Sequence, residues 1–216
     1  MERVILSDLD GTLVKDSLVL THACWLEQSG AIQTNGAAQA WKQDKKNEAA
    51  ITRLAIEYQK AIKGMTLKDL KVIEFIGYYL NNHQVYKDAL NELRNGSAYI
   101  ITGSPSYLVS VLVPALCHKY GLQNQPTIYA SIYKREAGRF TGLITLPMFS
   151  KEEKEKAANE ILSRHQDQAH VIGLGDTFSD SPLLACADVR VLVEPNAKTL
   201  EEYQHANITI DYIYQD

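Results

Sequence analysis

The sequence lacks any long apolar run. Its longest such stretch, Leu108 to Cys117, is interrupted by Ser110 and Pro114 and falls well short of a membrane span. The first residues do not form a secretory leader, because their apolar run is short and is broken by Asp8 and Asp10. Only three cysteines occur in 216 residues, Cys24, Cys117 and Cys186, far apart and without metal-knuckle spacing. That count excludes a disulfide scaffold and points to a reducing, cytoplasmic setting. A basic excess is also missing: the net charge is −4, so nothing draws the chain toward nucleic acid or an anionic membrane surface. There are no internal repeats or low-complexity tracts. An apolar fraction of 45% and a charged fraction of 22% are those of an ordinary globular chain, long enough for one generous domain or a core with an insertion.

What is present is a rhythm of short apolar runs separated by helical patterns. Strand-like runs occur at 3–9, 97–102, 126–133, 169–174 and 188–193, with a weaker one at 207–214. Helical patterns cover about 85–95, 105–120, 151–165, 180–187 and 197–205. This alternation predicts an α/β fold, a Rossmann-like parallel sheet with helices on both faces and its strand-to-helix turns along one edge. The interval 14–86 breaks the rhythm: it carries helical patterns at 17–29, 36–46, 48–63 and 66–81, with Thr66 as the N-cap of the last. It reads as an inserted helical cap over the core formed by 1–13 and 87–216.

Three strand ends carry chemistry. At the first, Asp8 and Asp10 are two residues apart and emerge on one face of a strand. Two carboxylates so close call for a cation or a shared proton, and a hard divalent ion suits oxygen ligands. At the second, Thr102-Gly103-Ser104-Pro105 ends a strand and opens a helix. There the amides of Gly103 and Ser104 and the Thr102 hydroxyl suit an anion, and Pro105 suits a first helical turn. At the third, Gly175-Asp176 ends a strand and Asp180 follows four residues on, so both acids can meet the same cation. Capping and turn chemistry explains each of these sites singly, but not all three together. Four carboxylates and a phosphate also need a lysine, and Lys151, Lys154 and Lys156 open the helix after Ser150.

Together these motifs resemble those of the haloacid dehalogenase superfamily phosphatases, in the phosphoserine-phosphatase-like branch, over nearly the whole chain. Asp8-Leu9-Asp10-Gly11-Thr12 matches the first motif, Thr102-Gly103-Ser104 the second and Gly175-Asp176-Thr177-Phe178-Ser179-Asp180 the fourth. Ala137-Gly138-Arg139-Phe140-Thr141-Gly142 is similar to a hairpin that this branch carries before its third motif. The resemblance implies a magnesium-dependent phosphomonoester hydrolase with Asp8 as nucleophile and Asp10 as acid and base. It implies a metal held by Asp8, Asp10 (through its carbonyl), Asp176 and Asp180. Phosphate would be held by Thr102, Lys154 and the amides of Leu9, Asp10 and Gly103, with Ser104 beside them. Lys154 aligns best with the motif lysine, with Lys151 and Lys156 still open. The implied partner is a small phosphorylated metabolite. Phosphoserine phosphatases present a glutamate where this chain has Ser17, so phosphoserine itself is not implied. Arg53 stands near the branch's carboxylate-reading arginine by spacing but reads as an ordinary surface residue. Phosphoryl transfer to another hydroxyl, and an interaction protein on the same scaffold, are the alternatives.

Overall fold

The computed structural model describes residues 2–165 and 168–215. A seven-stranded sheet runs in the order β4-β3-β2-β1-β5-β6-β7. Its strands are β1 (Arg3–Ser7), β2 (Ser97–Pro105), β3 (Thr127–Glu136), β4 (Arg139–Leu146), β5 (His170–Gly175), β6 (Val189–Val193) and β7 (Tyr212–Tyr214). Neighbours are parallel except β3 and β4, which form an antiparallel hairpin. The earliest strand in sequence is thus central, between β2 and β5, as its fully buried Val4-Ile5-Leu6 run requires.

Side chains alternate between two cores with the period of two that a strand imposes. Ile5, Ile100, Ile172 and Val191 face one core; Val4, Leu6, Ile101, Val171 and Leu192 face the other. The second core is closed by α7 (Lys151–Leu162), α8 (Ser181–Ala185) and α9 (Ala197–His205), through Ala157, Ile161, Leu183 and Tyr203. The first is closed by α6 (Ser106–Tyr120) and by the helices that follow β1: α1 (Leu18–Gln28), α2 (Ala37–Gln43), α3 (Glu48–Ala61), α4 (Val72–Asn82) and α5 (Lys87–Glu92). Leu54, Tyr58 and Phe75 of the inserted helices lie in one continuous cluster with Leu108 and Leu112 of α6. A buried chain of hydrogen bonds stitches them further. The Leu70 carbonyl can only accept, so His22 Nε2 donates to it at 2.9 Å; His22 Nδ1 therefore accepts from the Tyr58 hydroxyl at 2.9 Å, and Tyr58 accepts from Tyr107 of α6 at 2.6 Å.

Three local expectations differ from the structure. The helix placed at 66–81 begins only at Val72, because Lys71 adopts φ 46°. Thr66 and Asp69 instead exchange hydrogen bonds within a separate turn. β2 runs on through Pro105, which takes the N-cap position of α6 in place of its first turn. The strand expected at 126–133 continues to Glu136 and turns through Ala137 and Gly138, at φ 48° and 79°, into β4. Both positive angles match the tight turns favoured in hairpins. The hairpin also grips the inserted helices: Gly64 N–H donates to the Phe140 carbonyl at 2.8 Å, and Phe140 N–H to the Met65 carbonyl at 2.9 Å.

Candidate active site

β1, β2 and β5 lie side by side, so the segments leaving their carboxyl ends meet at one edge of the sheet. Ser7 pairs with Ile100 on one side and Leu174 on the other, and Asp8 N–H continues the ladder to the Leu174 carbonyl at 3.1 Å. Asp8 is 5% exposed. Its Oδ1 accepts from Lys154 Nζ at 2.9 Å, and the same ammonium donates to Asp180 Oδ1 at 2.5 Å. Lys154 reaches them from the first turn of α7, a helix capped by the Ser150 side chain, which accepts from Glu153 N–H.

Of the three candidate lysines, only Lys154 enters the site. Lys151 Nζ sits over the Phe178 ring, 3.4 Å from its centre, and exposed Lys156 pairs with Glu153. The sequence did hold a signal for this choice. Lys154 shares the buried face of α7 with Ala157, Ala158 and Ile161, three, four and seven residues on, and a lysine in an apolar stripe needs a buried partner.

Asp180 has no exposed surface. Its Oδ2 accepts from the amides of Asp176 and Thr177, each at 3.1 Å, and from the Thr177 hydroxyl. Both of its oxygens are thus already engaged, and it fixes the loop after β5 as well as the lysine. The Tyr203 hydroxyl of α9 holds the same loop by donating to the Thr177 carbonyl at 3.0 Å. Oxygens of Asp8, Asp176 and Asp180 lie within 4.8 Å of one another, so the three acids fit one hard cation. The Thr12 hydroxyl donates to Asp176 Oδ1 at 3.4 Å. Gly11, at φ +80°, passes so close that a Cβ there would lie 2.1 Å from Asp176 Oδ2.

The Asp10 carboxylate is not part of that acidic group. Its Oδ1 accepts from the Leu18 amide at 2.5 Å, and its Oδ2 accepts from the Ser104 hydroxyl at 2.7 Å and the Thr102 hydroxyl at 3.2 Å. The first amide of α1 therefore binds Asp10, a link that the sequence reading missed; no spacing rule joins Asp10 to Leu18. The hydroxyls of Thr102 and Ser104, expected near an anion, donate to Asp10, and Ser104 lines the cavity over Asp8. The Ser104 amide donates to Thr102 Oγ1 at 3.1 Å, where the pairing of β2 with β3 shifts register. Gly103 lines the open cavity beside Asp8. Leu9 is buried in the core.

The electrostatics follow from burial. Asp8 is pushed up to about 8 by loss of solvent, with Asp180 and Asp10 adding to the rise and Lys154 opposing it. Asp176 is held well above the usual carboxylate range by burial and then by Asp180 and Asp8. Burial also raises Asp10, against the hydrogen bonds from Leu18, Ser104 and Thr102. For Lys154, burial favours the neutral amine, but the charges of Asp180 and Asp8 outweigh it and keep the ammonium. Asp8, Asp176 and Asp180 thus crowd around one lysine, a cluster of carboxyls that a divalent cation would relieve.

Arg53 does not line the cavity over Asp8: its Nη2 donates to the Asn35 carbonyl at 2.8 Å, and it lines an adjoining surface cavity with Glu48 and Glu57 that shares Thr52 and Ile56 with the cavity over Asp8. Among the described residues no helix is long and apolar enough to cross a membrane.

Among curated proteins, none matches this sequence significantly. Solved structures do share its fold. A protein of unknown function from Bordetella pertussis Tohama I is 15% identical with a TM-score of 0.70, the match covering 99% of both chains. A haloacid dehalogenase family hydrolase from Salmonella enterica serovar Typhi is 18% identical at a TM-score of 0.62; the match covers 98% of this chain and 66% of that one. A phosphoserine phosphatase solved as a phospho-aspartyl intermediate analogue is 14% identical at 0.60, covering 100% and 94%. The sequence model of the haloacid dehalogenase-like hydrolases matches residues 5–185, a span that holds every acid of the site and its lysine, and the chain belongs to that family.

Proposed function

We propose that the protein is a magnesium-dependent phosphomonoester hydrolase working through an aspartyl-phosphate on Asp8. The observation that carries this reading is the arrangement around Asp8. A buried carboxylate on the sheet edge shares a lysine with Asp180, lies within reach of Asp176, and opens into a cavity of about 590 Å³. A carboxylate is a weak nucleophile, so position and charge neutralisation must supply most of the rate. Asp8 and Asp176 would hold the ion, with the Asp10 carbonyl. Asp180, saturated by amides and Lys154, would orient that set. Bound there, magnesium supplies charge neutralisation for the nucleophile and a phosphoryl oxygen.

The protein's own groups divide the remaining work. Lys154 bridges Asp8 and Asp180, and its charge meets the phosphoryl oxygens beside Asp8, with the Gly103 edge of the cavity opposite. Burial raises Asp10, which favours holding a proton on its carboxyl. It hands that proton to the leaving alkoxide and takes one back from the water that opens the acyl phosphate. Ser104, Thr102 and the Leu18 amide aim its carboxyl. Residues 14–86 act as the cap: α1 and α3 roof the cavity and exclude bulk water. The three free cysteines suit a cytoplasmic setting.

The test is release of phosphate from p-nitrophenyl phosphate with and without magnesium. Turnover requires the metal and disappears in Asp8→Asn. Near-normal turnover in that variant refutes the nucleophile.

A further inference from the structure

The phosphate end of the cavity is built from charge; the remainder is not. Above Asp8, the inserted helices contribute Val19 and Leu20 from α1 and Ile51, Ala55 and Ile56 from α3. The hairpin side adds Tyr133 and Ile144, and Phe149 closes the rim. Ile56 is 46% and Phe149 56% exposed, so large apolar side chains stand in water at the mouth, where a bound molecule would cover them. Every charged residue lining the cavity among those described, namely Asp8, Asp10, Asp176 and Lys154, lies at its base. The lysine there is committed to Asp8 and Asp180. Arg53, the one cation of α3's middle turns, points away to Asn35. The other polar groups of the lining are neutral: Ser104 donates to Asp10 and Thr177 pairs with Ser179, while Ser17, Thr52 and Gln59 stand on the side of the inserted helices.

From this lining we infer that the substrate is a phosphomonoester of an uncharged, predominantly apolar alcohol, aliphatic or aromatic. The inference rests on the hydrolase reading above. An ammonium or carboxylate on the leaving group would lose its water against Ile51, Ala55 and Ile56 and gain no opposite charge there. An alkyl or aryl body of the same size buries its own surface and that of Ile56 and Phe149. The cavity volume lies within the range of small-molecule sites, which leaves room for a body well beyond the phosphate.

A series of primary n-alkyl phosphates from ethyl to octyl tests this, because leaving-group basicity is nearly constant along it and only buried area changes. With magnesium present, kcat/KM rises about fourfold per methylene, which over the four methylenes from ethyl to hexyl phosphate is about 250-fold. O-phosphoserine and phosphoethanolamine fall at or below ethyl phosphate. Ile56→Asp, at a half-exposed position the fold tolerates, lowers kcat/KM for hexyl phosphate at least about tenfold. A flat series, a preference for the charged substrates, or an unchanged hexyl preference in Ile56→Asp overturns the inference while leaving the hydrolase reading intact. If no compound releases phosphate, acetyl phosphate included, the hydrolase reading fails and takes the inference with it.

Discussion

Gly11→Ala is the substitution whose consequence is most directly set by the site's geometry. Gly11 has φ +80°, and an added Cβ would lie 2.1 Å from Asp176 Oδ2 and 2.6 Å from its Cγ. The backbone term alone costs an L-residue about 1–2 kcal/mol. The steric term is more specific, since the Asp176 carboxylate must retreat by roughly 1.3 Å to reach ordinary contact distance. A displacement of that size at a catalytic group costs about 100-fold in rate, equivalent to about 2.7 kcal/mol of transition-state stabilisation. Gly36→Ala supplies the control. Gly36 has nearly the same backbone angle, φ +79°, with nothing within 4 Å of the new methyl. Urea unfolding of both variants should show similar modest losses of stability. Turnover of p-nitrophenyl phosphate over a magnesium titration should fall only in Gly11→Ala, with the magnesium requirement moved to higher concentration. If Gly11→Ala keeps kcat/KM within about threefold of wild type, Asp176 does not act where its position puts it.

Other outcomes follow from the same contacts. Lys154→Met strands two buried carboxylates and should cost about 3–5 kcal/mol of stability at neutral pH along with turnover; unchanged urea unfolding would remove Lys154 from its bridging role. Asp10→Asn should lose about 10²–10⁴-fold in kcat/KM, which reports the phosphorylation step, for alkyl phosphates and far less for p-nitrophenyl phosphate, whose leaving group needs no proton; equal losses in kcat/KM would deny Asp10 the part of acid. His22, lowered to about 4 by burial against the opposing hydrogen bond to Leu70, binds a proton more readily unfolded than folded. Its contribution to stability should therefore fall as pH drops from about 6.5 to about 4, by about 3 kcal/mol in total, while the raised Asp8 and Asp176 carboxyls act in the opposite sense over the same range. The stability of the wild type minus that of His22→Gln should carry the His22 slope alone, and a difference that does not change with pH would place the titration elsewhere.

The parts of the fold that were legible in the sequence are those whose burial is symmetrical. The Val4-Ile5-Leu6 and Val171-Ile172 runs are covered on both faces and read as strands without help. β4 is different. Its burial alternates along an edge, with Leu143 60% exposed, and only the Ala137-Gly138 turn marked it, through the family's hairpin. The start of α4 was misread for a physical reason: Thr66 and Asp69 do make a reciprocal hydrogen-bonded pair, but they close a turn that Lys71 then breaks. Within the site, side-chain type and strand-end position were enough to bring Asp8, Asp176 and Asp180 together on paper. What escaped was direction. The hydroxyls of Ser104 and Thr102 donate to Asp10, a link between two strand ends that no local spacing records. The cavity walls escaped as well, since Ile51, Ile144 and Phe149 come from three separate elements and meet only in the folded chain.

The claim on which the account turns is that Asp8 itself takes up the phosphoryl group. The most direct measurement is to quench the enzyme with acid during turnover of a phosphomonoester in magnesium, reduce with borohydride, and map the modified residue by peptide mass spectrometry. The account predicts reduction at position 8, converting that aspartate to homoserine, and none in Asp8→Asn. Reduction at another carboxylate, or steady turnover with position 8 unmodified at every quench time, would contradict it.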